Sequence, residues 1–252
     1  MTKIFGHRGS KGSFPENTML SFHEAIKSGV DGLEIDVHLT KDDQLVVIHD
    51  ERVDRTFEAE GFVKDFTLAE LKQLKPSSLY QSFSNYHPTW ELERMPTLAE
   101  VLHLVETEKV DLNIELKTAV LSYNGIEERI LETVHRLIRS VKVVYSSFHL
   151  PTLVRMRNLD PHAELAWLLF QNIPQLEDYA ATFQFSHYHL EKSLLIEGNL
   201  SSEIDVTKIR AWTVNSREDI NTLLTLGVET IVTDFPERAI ALRKDCYALE
   251  QC

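Results

Sequence analysis

Long hydrophobic runs are missing from this chain of 252 residues. No stretch approaches the roughly 20 apolar residues that a membrane-spanning helix needs, so no stable membrane anchor is expected. The N-terminus, Met1-Thr2-Lys3-Ile4-Phe5-Gly6-His7, lacks the long apolar core of a secretion signal. A cytoplasmic location is expected on that ground. Cysteine is scarce. Cys246 and Cys252 lie close together near the C-terminus, which excludes a disulfide framework and a thiolate metal site and reads as two unpaired surface thiols. Positive charge is also short, with 26 Lys and Arg against 39 Asp and Glu, a net charge of −13. That balance disfavours nucleic acid and anionic membrane surfaces as partners. An anionic small substrate then requires local positive charge at its own site. Internal repeats and low-complexity segments are lacking too.

What is present is a regular alternation. Apolar residues make up 43% and charged residues 26%, the mix of an ordinary globular protein. Short apolar strand segments alternate with amphipathic helix segments. The main strand candidates are Lys3–Gly6, Leu33–Val37, Leu112–Leu116, Lys142–Ser146, Glu164–Leu169, Phe183–Phe185, Ile209–Val214 and Thr230–Val232, with Leu45–His49 as an extra strand. Helices are predicted over Asn17–Ser28, stopped by Gly29, and over Ile126–Arg139, Leu150–Asn158 and Ser216–Leu226. Repeated βα units imply a parallel sheet. This number of them, at a length near the ~250 residues typical of the fold, predicts an α/β protein closed as a TIM (β/α)8 barrel. One domain is expected to span 1–252. From Glu51 to about Met95 the rhythm breaks, leaving a short helix candidate, Leu68–Leu74, and a loop rich in Ser, Tyr, Phe and Trp. Its aromatic content argues against a solvated linker. It reads as a cap inserted after the second barrel strand, on the catalytic face.

The second strand carries the first chemical signal. Leu33, Ile35 and Val37 alternate with Glu34, Asp36 and His38, and residues two apart in a strand share a face. If the apolar row meets the outer helices, the carboxylates point into the barrel. Leu112–Lys117 repeats the pattern and adds Glu115. Buried carboxylates side by side repel and lose hydration, and a divalent cation is the simplest remedy. Three carboxylates suit a hard ion, Mg²⁺ or Ca²⁺. His7 closes the first strand and His49 closes the extra one. Both should therefore lie at strand C-terminal ends, where barrels do chemistry, and a histidine pair can supply one base and one acid at neutral pH. His23, His103 and His135 fall in helices and His87 and His162 in loops, and all read as structural. His187 and His189 follow the sixth strand candidate and could line the pocket, but nothing in the sequence compels it.

The ordered set His7-Arg8-Gly9, Glu16-Asn17-Thr18, Gly32-x-Glu34-x-Asp36-Val37, Thr40, Asp42, His49-Asp50, Arg55-Thr56, Glu115-Leu116-Lys117, Ser146-Ser147-Phe148, Trp212-Thr213-Val214-Asn215 and Thr233-Asp234-x-Pro236 resembles the glycerophosphodiester phosphodiesterase family over nearly the whole chain. The resemblance implies a TIM barrel with a small insertion after His49. It implies a divalent metal held by Glu34, Asp36 and Glu115, with His7 and His49 as the catalytic pair. It also implies Arg8 and Lys117 near the phosphate and Trp212 near the glycerol. Departures occur at Phe57-Glu58-Ala59-Glu60 and at Ser186-His187-Tyr188-His189, near where the leaving alcohol should be read.

The expected reaction converts a small glycerophosphodiester to sn-glycerol 3-phosphate and an alcohol, with His7 as base and His49 as acid. The nucleophile is either water or the glycerol hydroxyl next to the ester, which would give a cyclic phosphate. Asp50 either orients His49 or ends its strand at a turn, and Glu16-Asn17-Thr18 can serve simply to cap the first helix. A lysophospholipase D-like enzyme on the same barrel is the nearest rival, and an inactive phosphodiester-binding protein is the rival from another class. The oligomeric state is left open, a homodimer included.

Overall fold

The alternation of the strands becomes the two faces of a closed sheet. The computed structural model describes residues 1–198 and 204–249. Its strands are β1 (Lys3–His7), β2 (Gly32–Leu39), β3 (Leu45–Val47), β4 (Asp111–Leu116), β5 (Val143–Ser147), β6 (Glu164–Leu169), β7 (His187–Glu191), β8 (Ile209–Trp212) and β9 (Thr230–Thr233). All except β3 pair in parallel, each with its neighbour, and β1 pairs with both β2 and β9, which closes the circle. β3 lies antiparallel on β2, the extra strand expected from the sequence. The fold is a TIM barrel.

Helices α1 (Met19–Ser28), α3 (Leu98–Glu108), α4 (Ile126–Leu137), α5 (Leu150–Leu159), α6 (Leu176–Phe183), α8 (Arg217–Leu226) and α9 (Pro236–Leu249) follow the barrel strands, with short helices α2 (Leu68–Leu71) and α7 (Ser193–Ile196) between. Helix α1 begins at Met19, where the Thr18 side chain accepts from Ser21 N, and ends at Gly29, whose φ of 91° suits glycine. The outward strand row, including Leu33, Ile35, Val37, Leu112, Ile114, Leu165, Leu190, Ile209 and Ile231, joins Phe22, Leu102, Ile130, Leu153, Ile220 and Leu223 of the helices in one core. Among the described residues no helix is long and apolar enough to cross a membrane. Cys246 is half-buried against this core instead of lying on the surface, and Cys252 lies outside the described residues.

One strand differs from the sequence expectation. Phe183–Phe185 is not a strand. Phe183 ends α6, and Gln184 turns the chain in the left-handed region at φ 55°. The strand is His187–Glu191. The Phe-Gln-Phe pattern imitates a strand because both rings are drawn to one apolar site: they stack at 5.8 Å, and Phe185 also meets Trp167. The true strand was hidden because its inward row is His187, His189 and Glu191, polar residues that look like a loop.

That polarity is explained by the closed end of the barrel. Arg210, 1% exposed, forms a two-pronged bond to Glu229 and lies over the Phe5 ring. His187 Nε2 bonds Glu164, while its Nδ1 lies 2.8 Å from Glu229, close enough for ion pairing but misaligned for a hydrogen bond. These residues sit at the N-terminal ends of β6–β9, the face of a barrel given to stability.

The insertion between β3 and α3 has its own small core of Val53, Phe57, Val63, Leu71 and Met95, joined to Val46 and Ile48. Tyr80 and Trp90 are buried as well.

Burial pushes the Glu229 carboxyl up, but the close His187 ring and the hydrogen bonds from Arg210 outweigh it and bring its pKa to about 2 from 4.5. Its contribution is therefore complete above about pH 4.5 and is lost as pH falls toward 2. Glu229→Gln leaves Arg210 without its counter-charge and should cost roughly 3–5 kcal/mol at pH 7. Thermal melts from pH 2 to 7 check both points, and the variant should lose part of the acid-dependent slope. A variant as stable as the parent would show that the pair is dispensable.

Candidate active site

The inward rows of β2 and β4 meet as expected. Glu34, Asp36 and Glu115 are buried, with one oxygen of each lying within 4.8 Å of the others. The strand register sets Asp36 beside Glu115 and His7 beside Glu34. Burial drives the Glu34 carboxyl well above its ordinary range, and Asp36 and Glu115 beside it add to the shift. Glu115 is raised as well, by burial against the pull of Lys117. Asp36 goes the other way: burial is outweighed by Arg8 and Lys117, and Asn17 Nδ2 donates to its Oδ2 at 2.9 Å. Around the site Glu16, Glu34, Asp36, Asp50, Glu115 and Asp234 outnumber Arg8, Lys11, Arg55 and Lys117. Asp36 Oδ1 and Asn113 Oδ1 are buried without a hydrogen-bond partner. This excess of oxygen donors and negative charge fits a hard divalent cation.

His7 ends β1 with its Nδ1 2.6 Å from Asp234 Oδ1 and its Nε2 3.9 Å from Glu34 Oε2. Burial, together with Arg8, lowers its pKa to about 4 although Asp234 pulls the other way, so the ring is neutral at pH 7. His49 follows β3 with its Nδ1 2.6 Å from Asp50 Oδ1. Asp50 thus bonds His49 at the bend that follows β3, so both roles open in the sequence meet in it. Arg55 locks that dyad, donating to both oxygens of Asp50 and both oxygens of Glu16. Glu16 in turn accepts from Arg8 Nη1 at 2.8 Å. Behind His49, His38 Nε2 donates to the His49 carbonyl at 3.1 Å.

A cavity of about 140 Å³ opens among these groups, and His7, Arg8, Glu34, His49, Glu115 and Trp212 all line it. Asp36 and Lys117 are not among its lining residues. Lys117 Nζ instead bonds Glu115 Oε1 at 2.8 Å and lies 3.7 Å from Asp36 Oδ1. Arg8 has φ 51°, in the left-handed region, and Gly9 follows at φ 84°. A Cβ on Gly9 would lie 2.4 Å from Ser21 Oγ, so only glycine lets this turn press against α1 and deliver Arg8 to the cavity. No residue of 51–95 lines the cavity among the described residues. The insertion meets the site through Arg55, and its Trp90 packs on Phe14 of the loop that follows β1.

Sequence reasoning gave no role to Asp234, Asn113 or His189. Asp234 was visible as a carboxylate just after the last strand, but its pairing with His7 depends on barrel closure between β1 and β9. His189, read from the sequence as following the sixth strand candidate and able to line the pocket, sits in β7 and lines the cavity.

Comparison with known proteins agrees with this geometry. The sequence model of the Glycerophosphoryl diester phosphodiesterase family matches residues 7–238. A glycerophosphodiester phosphodiesterase of Bacillus altitudinis is 43% identical over 249 residues, covering 97% of this chain and 99% of that one. Another, from Caldanaerobacter subterraneus subsp. tengcongensis, is 37% identical over 248 residues, covering 96% of this chain and 97% of that one. A phosphodiesterase of Oleispira antarctica, solved in complex with the product sn-glycerol-3-phosphate, superposes with a TM-score of 0.81 at 26% identity, over 96% of each chain. The chain belongs to the glycerophosphoryl diester phosphodiesterase family and is a phosphoric diester hydrolase.

Proposed function

We propose that the protein cleaves small glycerophosphodiesters to sn-glycerol 3-phosphate and an alcohol, using His7 and His49 as an acid–base pair beside a divalent cation, Mg²⁺ or Ca²⁺, held by Glu34, Asp36 and Glu115. The observation that carries this is the pair of Nδ1–carboxylate dyads, His7–Asp234 and His49–Asp50, set at one cavity with the carboxylate cluster. The product bound to the Oleispira antarctica phosphodiesterase supports the choice of glycerol.

The residues divide the work. With its Nδ1 hydrogen donated to Asp234, His7 keeps the Nε2 lone pair and removes a proton from the nucleophile, water or the neighbouring glycerol hydroxyl. His49, its Nδ1 hydrogen directed to Asp50, gives a proton from Nε2 to the departing alkoxide. The nucleophile's oxygen bonds to phosphorus as the bond to the alcohol breaks. Arg8 supplies positive charge at the cavity, and Trp212 gives the glycerol carbons an aromatic wall. Lys117 acts on the substrate indirectly, by holding Glu115 and Asp36. When bound, the cation would polarise the phosphoryl oxygen and offset the charge of the diester. We take residues 1–252 as one domain in which the insertion at about 51–95 buttresses His49 through Arg55. A cytoplasmic enzyme with a small-molecule substrate accords with this reading.

Exhaustive EDTA treatment should abolish release of the alcohol from glycerophosphocholine, and Mg²⁺ or Ca²⁺ should restore it. Glu34→Ala should remain folded and stay inactive whatever metal is added. Full turnover in EDTA would remove the cation from the scheme.

His7→Ala and His49→Ala should each lower kcat by about 10²-fold or more, while metal binding measured by calorimetry largely survives. The double variant should be little worse than either single one, because the two act as a unit. A near-normal kcat in either single variant would break the pairing.

A further inference from the structure

The cavity has two chemically different halves. His7, Arg8, Glu34, His49 and Glu115 charge one; Phe148, Leu168, Trp212 and Val232 wall the other. His189 belongs to the second half and takes no part in the acid–base scheme. It is 2% exposed, and its Nε2 has no hydrogen-bond partner. Burial, with Arg210 beside it, holds the ring well below its ordinary pKa and so neutral. A neutral imidazole offers one N–H donor and one lone pair. Buried polar groups of this kind are normally satisfied, and an unsatisfied one in a binding cavity points to a partner that arrives with the ligand.

The position of His189 restricts that partner. In β7 it pairs in register with Leu168 of β6 and Arg210 of β8, and Trp212 stands two residues beyond Arg210. Two residues before it, His187 joins the Arg210–Glu229 network that fills the closed end. His189 is therefore the polar residue at the foot of the apolar half. A phosphodiester of glycerol has its charge at one end, a hydroxyl on the carbon next to the ester-bearing one, and a second, terminal hydroxyl. With the phosphate drawn to the charged half, the carbons run along Phe148 and Trp212. The terminal hydroxyl then enters the apolar half, where an unpaired hydroxyl would lose its hydration without compensation.

We propose that His189 is a specificity-determining residue whose ring hydrogen-bonds the terminal hydroxyl of the glycerol unit, so that the site selects glycerol over a diol lacking that hydroxyl. This rests on the glycerophosphodiester reading above. It also gives a function to the Ser186-His187-Tyr188-His189 segment at the start of β7.

The test compares glycerophosphocholine with the phosphocholine diester of propane-1,2-diol, which keeps the hydroxyl next to the ester and lacks the terminal one. The wild type should prefer the parent in kcat/KM by roughly 10- to 100-fold, the value of one well-made hydrogen bond to a buried group. In His189→Leu the parent should fall to the level of the analogue and the preference should shrink to about 3-fold or less. In His189→Gln, which keeps a donor and an acceptor, part of the preference should return. Equal loss on both substrates in His189→Leu would mean a purely structural role and overturn the proposal. Equal rates on both substrates in the wild type would overturn it without any variant, including the case where His189→Leu does not fold. Cleavage of neither substrate would instead overturn the glycerophosphodiester reading, and this proposal with it, whereas turnover of the parent keeps that reading and judges His189 alone.

Discussion

Concentrated negative charge inside a closed sheet is the constraint from which the rest of the site follows. Glu34, Asp36 and Glu115 share a space too small for three independent carboxylates, and the opposite shifts of Glu34 and Asp36 record the conflict. Every neighbour is recruited to relieve it. Arg8 reaches toward Asp36 and bonds Glu16, Lys117 bonds Glu115, and Asn17 donates to Asp36. The compensation then propagates outward, because Glu16 also takes both prongs of Arg55, and Arg55 fixes Asp50 against His49. Buried ion pairs contribute little net stability against a packed apolar alternative. Their return here is geometric: one connected set of charges holds two histidines and a carboxylate cluster in fixed relation.

The barrel separates this arrangement from its own maintenance. At the closed end, Arg210, Glu229, His187 and Glu164 neutralise one another among strand beginnings. At the open end, His7, His49 and Asp234 lie beyond or at the strand ends, where backbone turns leave room for a ligand. Between these layers the cavity changes from charged to apolar across its width, matching a molecule with an anionic end and a short carbon chain.

Much of this was legible in the sequence because the physics involved is local. Period-two alternation in Leu33–Val37 and Leu112–Leu116 fixed which side chains faced inward, since a strand has only two faces. Glu34, Asp36 and Glu115 therefore come together once the strands are placed in a barrel. Gly29 and Thr18 marked the bounds of a helix through their own backbone and side-chain chemistry. Where the local signal misled, as at Phe183–Phe185, two aromatic rings imitated a strand, while the real one carried histidines on its buried face.

What the tertiary structure alone decided are the pairings between distant segments. His7 and Asp234 are 227 residues apart, and nothing in either segment requires the other until β1 closes onto β9. Arg55 sits in the insertion, and its reach to Glu16 and Asp50 depends on how the insertion packs on β3. Lys117 reads as a phosphate ligand, and the fold sets its ammonium against Glu115 and Asp36. A sequence specifies periodicity, turn chemistry and residue type, since these act over a few bonds. The partner that finally satisfies a buried charge or leaves an imidazole free is set by closure and packing, which act across the whole chain.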